Sequence, residues 1–304
     1  MQGTPYDALP TALLAELTDA GLDPRALYDA IVRALEEDLP GGTEDATSTA
    51  TIAADARGVA DCGAREAGVV AGLGVAALVF HYVMGDAVTI SDRVPDGTAV
   101  APGDHVMRVS GPTRGLLTAE RTALNYASHL SGVATATSRW VAALAGTRAR
   151  VLDTRKKLPG MRAVQKSAVR CGGGVNHRFS LSDLAMVKDN HVVAAGGVVP
   201  ALEAVRAAYP GLGVEVEVTD LDQLRELLDA GCTMILLDNM SDEMMAEAVA
   251  ITAASDTDAT LEASGGLTLE RAGAVAATGV DFISVGALTH SVIVFDLGMD
   301  LRDA

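Results

Sequence analysis

Three groups of side chains in this chain have types and spacings that suit chemistry on a small anion. The first group is cationic. Between residues 150 and 190 stand Arg150, Arg155, Lys156, Lys157, Arg162, Lys166, Arg170, Arg178 and Lys188, against only Asp153, Asp183 and Asp189. That stretch carries +6 in a 304-residue chain whose formal charge is -17, and it holds all four lysines among the 23 basic residues. Positive charge gathered against the protein's own field suits a pocket for a small polyanion; a solvated basic face is the plainer alternative. The second group is acidic. Glu215 and Glu217 alternate with Val214, Val216 and Val218, so both carboxylates share one face of a strand. Buried carboxylates are costly unless paired or metal-bound. They are expected to face Lys188 and Arg155, or a hard cation that Asp238 on the next strand helps to hold; Mg²⁺ commonly takes one or two protein carboxylates. A structural ion-pair layer is the alternative. The third group is small: Ser264-Gly265-Gly266 and Gly286-Ala287 let backbone N–H groups approach a phosphate.

Cys171-Gly172-Gly173-Gly174 leads into Asn176-His177-Arg178. A triple glycine belongs in a loop that takes unusual backbone angles or comes close to a ligand. It delivers His177 beside Arg178, whose planar guanidinium can grip a carboxylate with two parallel hydrogen bonds. His81, His105, His129 and His290 read as structural, whereas His177 and His191 stay open between packing and ligand contact. Cys171 reads as a packing residue because no base pairs with it.

The elements that must position these groups are regular beyond residue 148. Short apolar runs at ARVLD, LAMVKD, GVEVEV, TMILLD, ATLEAS and DFISVG alternate with helical segments at 160–169, 199–208, 221–230, 242–253 and 268–277. This alternation predicts parallel β/α units. Six strands, with a seventh hidden upstream, favour a closed or nearly closed barrel, whose chemistry sits at the carboxyl ends of the strands. The polar groups named above fall at those ends. No G-x-G-x-x-G follows a strand and no Walker loop is present. Upstream, Asp23-Pro24 opens a helix that should stop at Pro40, followed by a Ser/Thr-rich loop. Strands at 58–65 and 104–110 flank a helix at 72–84. A helical pattern from Arg114 reaches Ser131-Gly132 and restarts, so Gly132 is expected to break the helix or join two domains. Arg121 stands on this helix beside Glu120, where its neighbourhood alone suggests a surface ion pair. Lys166 and Arg170 read as surface charges.

Composition excludes several classes. Aromatic residues are 3% of the chain, which argues against a stacking surface for single-stranded nucleic acid. The net charge of -17 argues against nucleic acid or an anionic membrane as partner. Cys62, Cys171 and Cys232 are scattered and odd in number, which suits a reducing compartment better than a disulfide framework. The N-terminus has no basic leader and no sustained apolar run. The apolar stretch 67–80 is too short to span a bilayer and reads as a buried helix. A soluble cytoplasmic protein is expected.

The segments ERTALNYASHLSG, DTRKKLPGMR, VRCGGGVNHR, SDLAMVKDNH, VEVEV, LLDNM, EASGG and ISVGALTHS occur in that order. Together they resemble the quinolinate phosphoribosyltransferases, over most of the chain. The resemblance implies an α/β protein: an N-terminal α/β sandwich (1–131) and a C-terminal incomplete β/α barrel (132–286) of the type II phosphoribosyltransferases. Residues 287–304 are expected to pack back on the first domain. It implies transfer of phosphoribosyl from phosphoribosyl pyrophosphate to quinolinate with decarboxylation, in NAD biosynthesis. It also implies a homodimer with shared active sites, in which Arg121 reaches the neighbouring subunit's substrate. By the same resemblance Arg155, His177, Arg178 and Lys188 bind the quinolinate carboxylates, and Lys156 contacts the pyrophosphate and ribose side. Glu217 and Asp238 hold the ribose hydroxyls and Mg²⁺, directly or through water, and Ser264, Gly265 and Gly286 cradle the 5′-phosphate. Lys156, Lys188, Glu217 and Asp238 are the expected catalytic set. The chain departs from the family pattern at Lys157 (DTRKK for DTRKT), at Ser167 where a Tyr is usual, and at EDATSTAT near the N-terminus. Two alternatives remain from the residues: a Schiff-base aldolase acting through Lys188, and a non-catalytic relative that binds a phosphoribosylated ligand.

Overall fold

The computed structural model describes residues 3–303, the last by its backbone. The chain opens with two helices, α1 (Thr11–Asp19) and α2 (Pro24–Asp38). Asp23 caps α2 as its sequence dictates, accepting the N–H groups of Arg25 (2.9 Å) and Ala26 (3.2 Å) with Pro24 in the first turn. Leu27, Ile31 and Leu35, spaced by four, form the buried stripe of α2 and contribute up to about 1.5–3 kcal/mol each. The expected Ser/Thr-rich loop is instead a short helix, α3 (Ala46–Thr51), because Asp45 caps it through the N–H and hydroxyl of Ser48. Then come β1 (Arg57–Ala64), β2 (Gly68–Val69), α4 (Leu73–Met84), β3 (Thr89–Ser91), β4 (Ala99–Val100), β5 (His105–Pro112) and α5 (Thr113–Ala143). Residues 73–80 of α4 are all buried, as expected of so apolar a run.

The rest of the chain runs β6 (Arg150–Leu152), α6 (Arg162–Cys171), β7 (Ala185–Val187), α7 (Asp189–Ala195), α8 (Val198–Ala208), β8 (Val214–Val218), α9 (Leu221–Asp229), β9 (Met234–Asp238), α10 (Asp242–Ala254), β10 (Thr260–Ser264), α11 (Ala272–Ala277), β11 (Phe282–Ser284), α12 (Ala287–His290) and β12 (Leu297–Asp303). Two compact units result. The first comprises residues 1–136, 163–173 and 292–304; the second comprises 137–162 and 174–291.

The first unit is built on an antiparallel sheet in the order β12-β1-β5-β3. Its final strand is the C-terminal one, and the tail that groups with this unit starts at residue 292 rather than 287. Gly132 does not break α5, which is continuous through it. A side chain there would collide with the carbonyl of Ile293, so this glycine serves close backbone approach to the tail, and the Phe295 N–H reaches the Ser128 carbonyl nearby (3.0 Å). Residues 163–173 of α6 group with this unit as well. Gln165 contacts His129 (2.9 Å) and Arg170 donates to the carbonyl of Ala20. Lys166 is only 2% exposed and is therefore no surface charge.

The second unit holds a parallel sheet in the order β6-β11-β10-β9-β8-β7. That is the chain order closed into a ring and opened at one place, between β6 and β7. Among the described residues no seventh strand precedes β6; the added pairing comes from downstream, a parallel bridge between Leu152 and Val175. All five residues of β8 are buried. Its valines suit the face where α8 and α9 lie, which leaves Glu215 and Glu217 on the other face. Among the described residues no single helix is long and apolar enough to cross a membrane.

Candidate active site

Because the six strands are parallel, their carboxyl ends share one edge of the sheet, and a cavity of about 300 Å³ opens there. Thr154, Arg155 and Lys156 enter it after β6, and His177 and Arg178 from the loop after α6. Met186 and Lys188 come from β7 and its end, Leu236 from β9, Glu262 and Ser264 from β10, and Ser284 from β11. Of the residues expected from sequence, Arg155, Lys156, His177, Arg178, Lys188 and Ser264 meet in this cavity. Glu217, Asp238, Gly265 and Gly286 belong to the same unit without lining it. Arg121 belongs to the first unit, exposed on α5.

The loop that carries His177 and Arg178 is fastened to β6. Val175 donates to Val151 (2.8 Å) and accepts from the Asp153 N–H (3.2 Å). Beyond that pairing the Asp153 side chain takes over, accepting the His177 N–H at 2.8 Å and the Asn176 amide at 3.2 Å. Gly173, at φ +86, lets the chain turn out of α6 toward this loop. Arg178 donates to the Leu184 carbonyl (2.9 Å), which leaves the rest of its guanidinium toward the cavity. Burial, and then repulsion from Arg155, push the Arg178 pKa below the usual guanidinium range. Arg155 Nε is buried and has no hydrogen-bond partner. Two guanidinium groups that repel each other, one with an unmatched buried donor, suit a small anion bound between them.

His177 is the centre of an acidic cluster. Its Nε2 lies 2.9 Å from Glu215 Oε2 and 3.2 Å from Glu262 Oε2, and all three side chains are at least nine-tenths buried. Two influences compete for the ring. The Arg178 N–H points at Nδ1 (2.6 Å) and favours a neutral ring, whereas the two carboxylates favour a charged one. The carboxylates prevail, because full charges at low dielectric outweigh one peptide dipole. Burial by itself lowers the His177 pKa, but hydrogen bonds and charge from Glu215 and Glu262 push it up to about 9. Burial raises the Glu215 pKa; His177 opposes this and Glu262 adds to it.

Glu215 therefore faces His177, not Lys188 or Arg155 as expected. Lys188 is taken by Glu217, with Nζ 2.5 Å from Oε2. Strand alternation settled the face on which the two glutamates stand; the path of the His177 loop settled their partners. Glu262 was not among the expected site residues. Its signal lay in TLEAS, where one carboxylate alternates with Leu261 and Ala263 on a strand, the pattern that singled out Glu215 and Glu217. Among the described residues, His177, Glu215 and Glu262 are also the one trio whose ligand atoms converge closely enough for a metal ion. Glu217 and Asp238, the expected metal ligands, do not form such a trio. His191 Nδ1 accepts the Lys188 N–H (3.0 Å), so this histidine fastens the start of α7.

The small-residue loops have clear geometric reasons. Asp238 and Ser264 are paired in register at the ends of β9 and β10. Asn239 follows at φ +54, its N–H bonded to the Ser264 carbonyl (3.0 Å) and its amide to Asp238 Oδ2 (2.7 Å). Gly265 stands at φ +94, and a side chain there would collide with Asn239. A side chain at Gly286 would come within 2.9 Å of Lys156 Cδ, and Thr289 of α12 donates to the Lys156 carbonyl (2.8 Å). The β11–α12 turn thus backs the segment that carries Arg155 and Lys156.

Comparison with known proteins gives a consistent result. The family profile described as quinolinate phosphoribosyl transferase, N-terminal domain, matches residues 45–131, and that of the C-terminal domain matches 133–300. The chain is 50% identical to the nicotinate-nucleotide pyrophosphorylase [carboxylating] of Mycobacterium leprae, over 94% of this chain and 100% of that protein. It is 39% identical to a probable nicotinate-nucleotide pyrophosphorylase [carboxylating] of Synechocystis, over 88% and 90%. The solved structure of the nicotinate-nucleotide pyrophosphorylase from Francisella tularensis superimposes with a TM-score of 0.86 at 36% identity, covering 91% of this chain and 96% of that one.

Proposed function

The chain belongs to the quinolinate phosphoribosyltransferase family, and on that premise we propose that it transfers phosphoribosyl from phosphoribosyl pyrophosphate to quinolinate. The products are nicotinate mononucleotide, CO₂ and pyrophosphate, a step of de novo NAD biosynthesis. The observation that carries this reading is the cavity itself: Arg155, His177, Arg178 and Lys188 converge on about 300 Å³ in a chain of net charge -17. A planar dicarboxylate satisfies these cations, including the unmatched Arg155 donor.

In the reaction the pyridine nitrogen forms a bond to C1 of the ribose as the C1–O bond to pyrophosphate breaks. The alkylated ring then takes up the electron pair of the adjacent C–CO₂ bond, and the carbon left behind gains a proton. Arg155 and Arg178 hold the two carboxylates and so aim the nitrogen, while the His177 imidazolium, whose ring nitrogens are already engaged, adds positive charge beside them. Lys156 offsets charge that grows on the leaving group, backed by the β11–α12 turn. Glu217 steadies Lys188 and, with Asp238, supplies negative charge toward the ribose. The same two residues suit Mg²⁺: both are oxygen donors, and Glu217 is already engaged by Lys188, which favours contact through water. Bound there, Mg²⁺ supplies charge neutralisation for the pyrophosphate oxygens. Ser264, which lines the cavity, is assigned to the 5′-phosphate, with Gly265 and Gly286 in the turns beside it. Arg121, exposed on α5, supports a homodimer in which it completes the partner's site. Three free thiols support a reducing, cytoplasmic setting. The aldolase alternative loses ground because Lys188 Nζ is engaged by a carboxylate at 2.5 Å.

The test is to supply quinolinate, phosphoribosyl pyrophosphate and Mg²⁺ and to follow CO₂ and nicotinate mononucleotide. Arg178→Ala is expected to raise the quinolinate KM at least tenfold or abolish turnover while the fold persists. No product from the unaltered protein, or an unchanged KM in the variant, refutes the reading.

A further inference from the structure

Lys157 follows two residues of the proposed site, yet it does not line the cavity. Its side chain is 1% exposed and its Nζ lies 3.0 Å from Asp153 Oδ2, on a side chain with no exposure at all. A buried ion pair is a poor source of stability, since desolvation of both charges opposes their attraction. Its value here has to be sought in what Asp153 does. That carboxylate accepts the His177 backbone N–H at 2.8 Å and the Asn176 amide at 3.2 Å, and its own N–H bonds Val175. Pairing with the 175–178 loop thus begins as backbone at Val151 and passes to a side chain at Asp153. A carboxylate can accept from several donors at once, and burying one costs less when a cation pairs with it.

We infer that the Lys157–Asp153 pair is a positioning device for the cavity: Lys157 fixes the Asp153 carboxylate, Asp153 holds the His177 backbone, and His177 and Arg178 are thereby aimed. Lys157 touches no ligand. In rate terms the inference rests on the proposed reaction, because it assigns His177 and Arg178 to quinolinate. In structural terms it does not.

The experiment compares Lys157→Met, Asp153→Asn and the double variant with the unaltered full-length protein. Lys157→Met is expected to raise the quinolinate KM about tenfold or more, with the phosphoribosyl pyrophosphate KM changing less than about threefold. Backbone amide exchange over residues 175–178 in the ligand-free protein is expected to quicken by a similar factor. The double variant, which carries no charge at either position, is expected to have a lower quinolinate KM than Asp153→Asn, where Lys157 is left without its carboxylate. Unchanged exchange together with an unchanged quinolinate KM in Lys157→Met overturns the inference. So does a parallel rise of both KM values, which points to Lys157 acting on the whole site. Should Lys157→Met fail to fold, a double variant no better than Asp153→Asn overturns it. If the unaltered protein forms no nicotinate mononucleotide, the functional reading has failed, and amide exchange in the variants still decides the positioning role.

Discussion

Replacing Glu262 with glutamine should move the ionisation of His177, and with it the pH range over which the cavity holds a dicarboxylate. The histidine pKa is raised from 6.5 to about 9 in the folded protein. A raised histidine pKa means that the charged ring stabilises the fold fully below the unfolded value of 6.5, and that this contribution is lost as pH rises through about 9. Its size follows from the shift, about 3 kcal/mol. Two carboxylates sustain it, at 2.9 Å and 3.2 Å, in surroundings that solvent barely reaches. Glutamine keeps the volume and one acceptor of Glu262 but removes its charge. The fall in the His177 pKa will be less than half of the whole shift, because Glu215 gains what Glu262 loses: its own raised pKa is held up partly by Glu262 and relaxes downward in the variant. A drop of about one pH unit is expected, equivalent to about 1.4 kcal/mol. The assay is an NMR titration of the His177 ring in the ligand-free protein, run beside the quinolinate KM at matching pH values. In the unaltered protein the KM should stay level until about pH 8 and rise as the ring loses its proton near 9. In Glu262→Gln the rise should begin about one unit earlier. A ring that titrates near 6.5 in the unaltered protein, or a KM profile indifferent to Glu262, refutes the reasoning.

Two further outcomes are expected. Arg121→Ala and Arg178→Ala should each be severely impaired, and mixing their dissociated subunits should recover about a quarter of full activity, since half of the random dimers carry one intact shared site; no recovery means that Arg121 does not act across a subunit interface. Gly265→Ala should lower stability by about 1–3 kcal/mol, because an alanine at φ +94 is strained and its Cβ meets Asn239, and an unchanged thermal midpoint refutes that.

Much of the second unit was legible in the sequence. Each of the six strands lies inside the apolar run that announced it, because β-branched residues bounded by polar strand ends are a local signal. The cationic stretch read from composition proved heterogeneous: Arg155, Lys156, His177, Arg178 and Lys188 line the cavity, whereas Lys166 and Arg170 group with the first unit. Helix α3 was missed because four Ser/Thr residues and two alanines carry no apolar periodicity, and only the Asp45 cap marks them. Gly132 misled because a glycine's effect depends on what approaches it. In a single helix it resembles a break, and the tail that needs its missing side chain comes some 160 residues later in the chain.

Residue order alone determined the β/α alternation, the face shared by Glu215 and Glu217, and the arrival of His177 beside Arg178 on a glycine loop. These are local consequences of strand period and backbone freedom. Tertiary structure decided which charge meets which: Glu217 with Lys188, Glu215 and Glu262 with His177, Asp153 with Lys157 and the His177 backbone. Apart from Asp153 with Lys157, four residues apart, those pairings join segments far apart in sequence and depend on register and burial, so no reading of neighbours along the chain contains them. Of the opening cluster of positive charge, Arg155, Lys156, Arg178 and Lys188 line the cavity, Lys188 held by Glu217, while Lys157 is buried against Asp153.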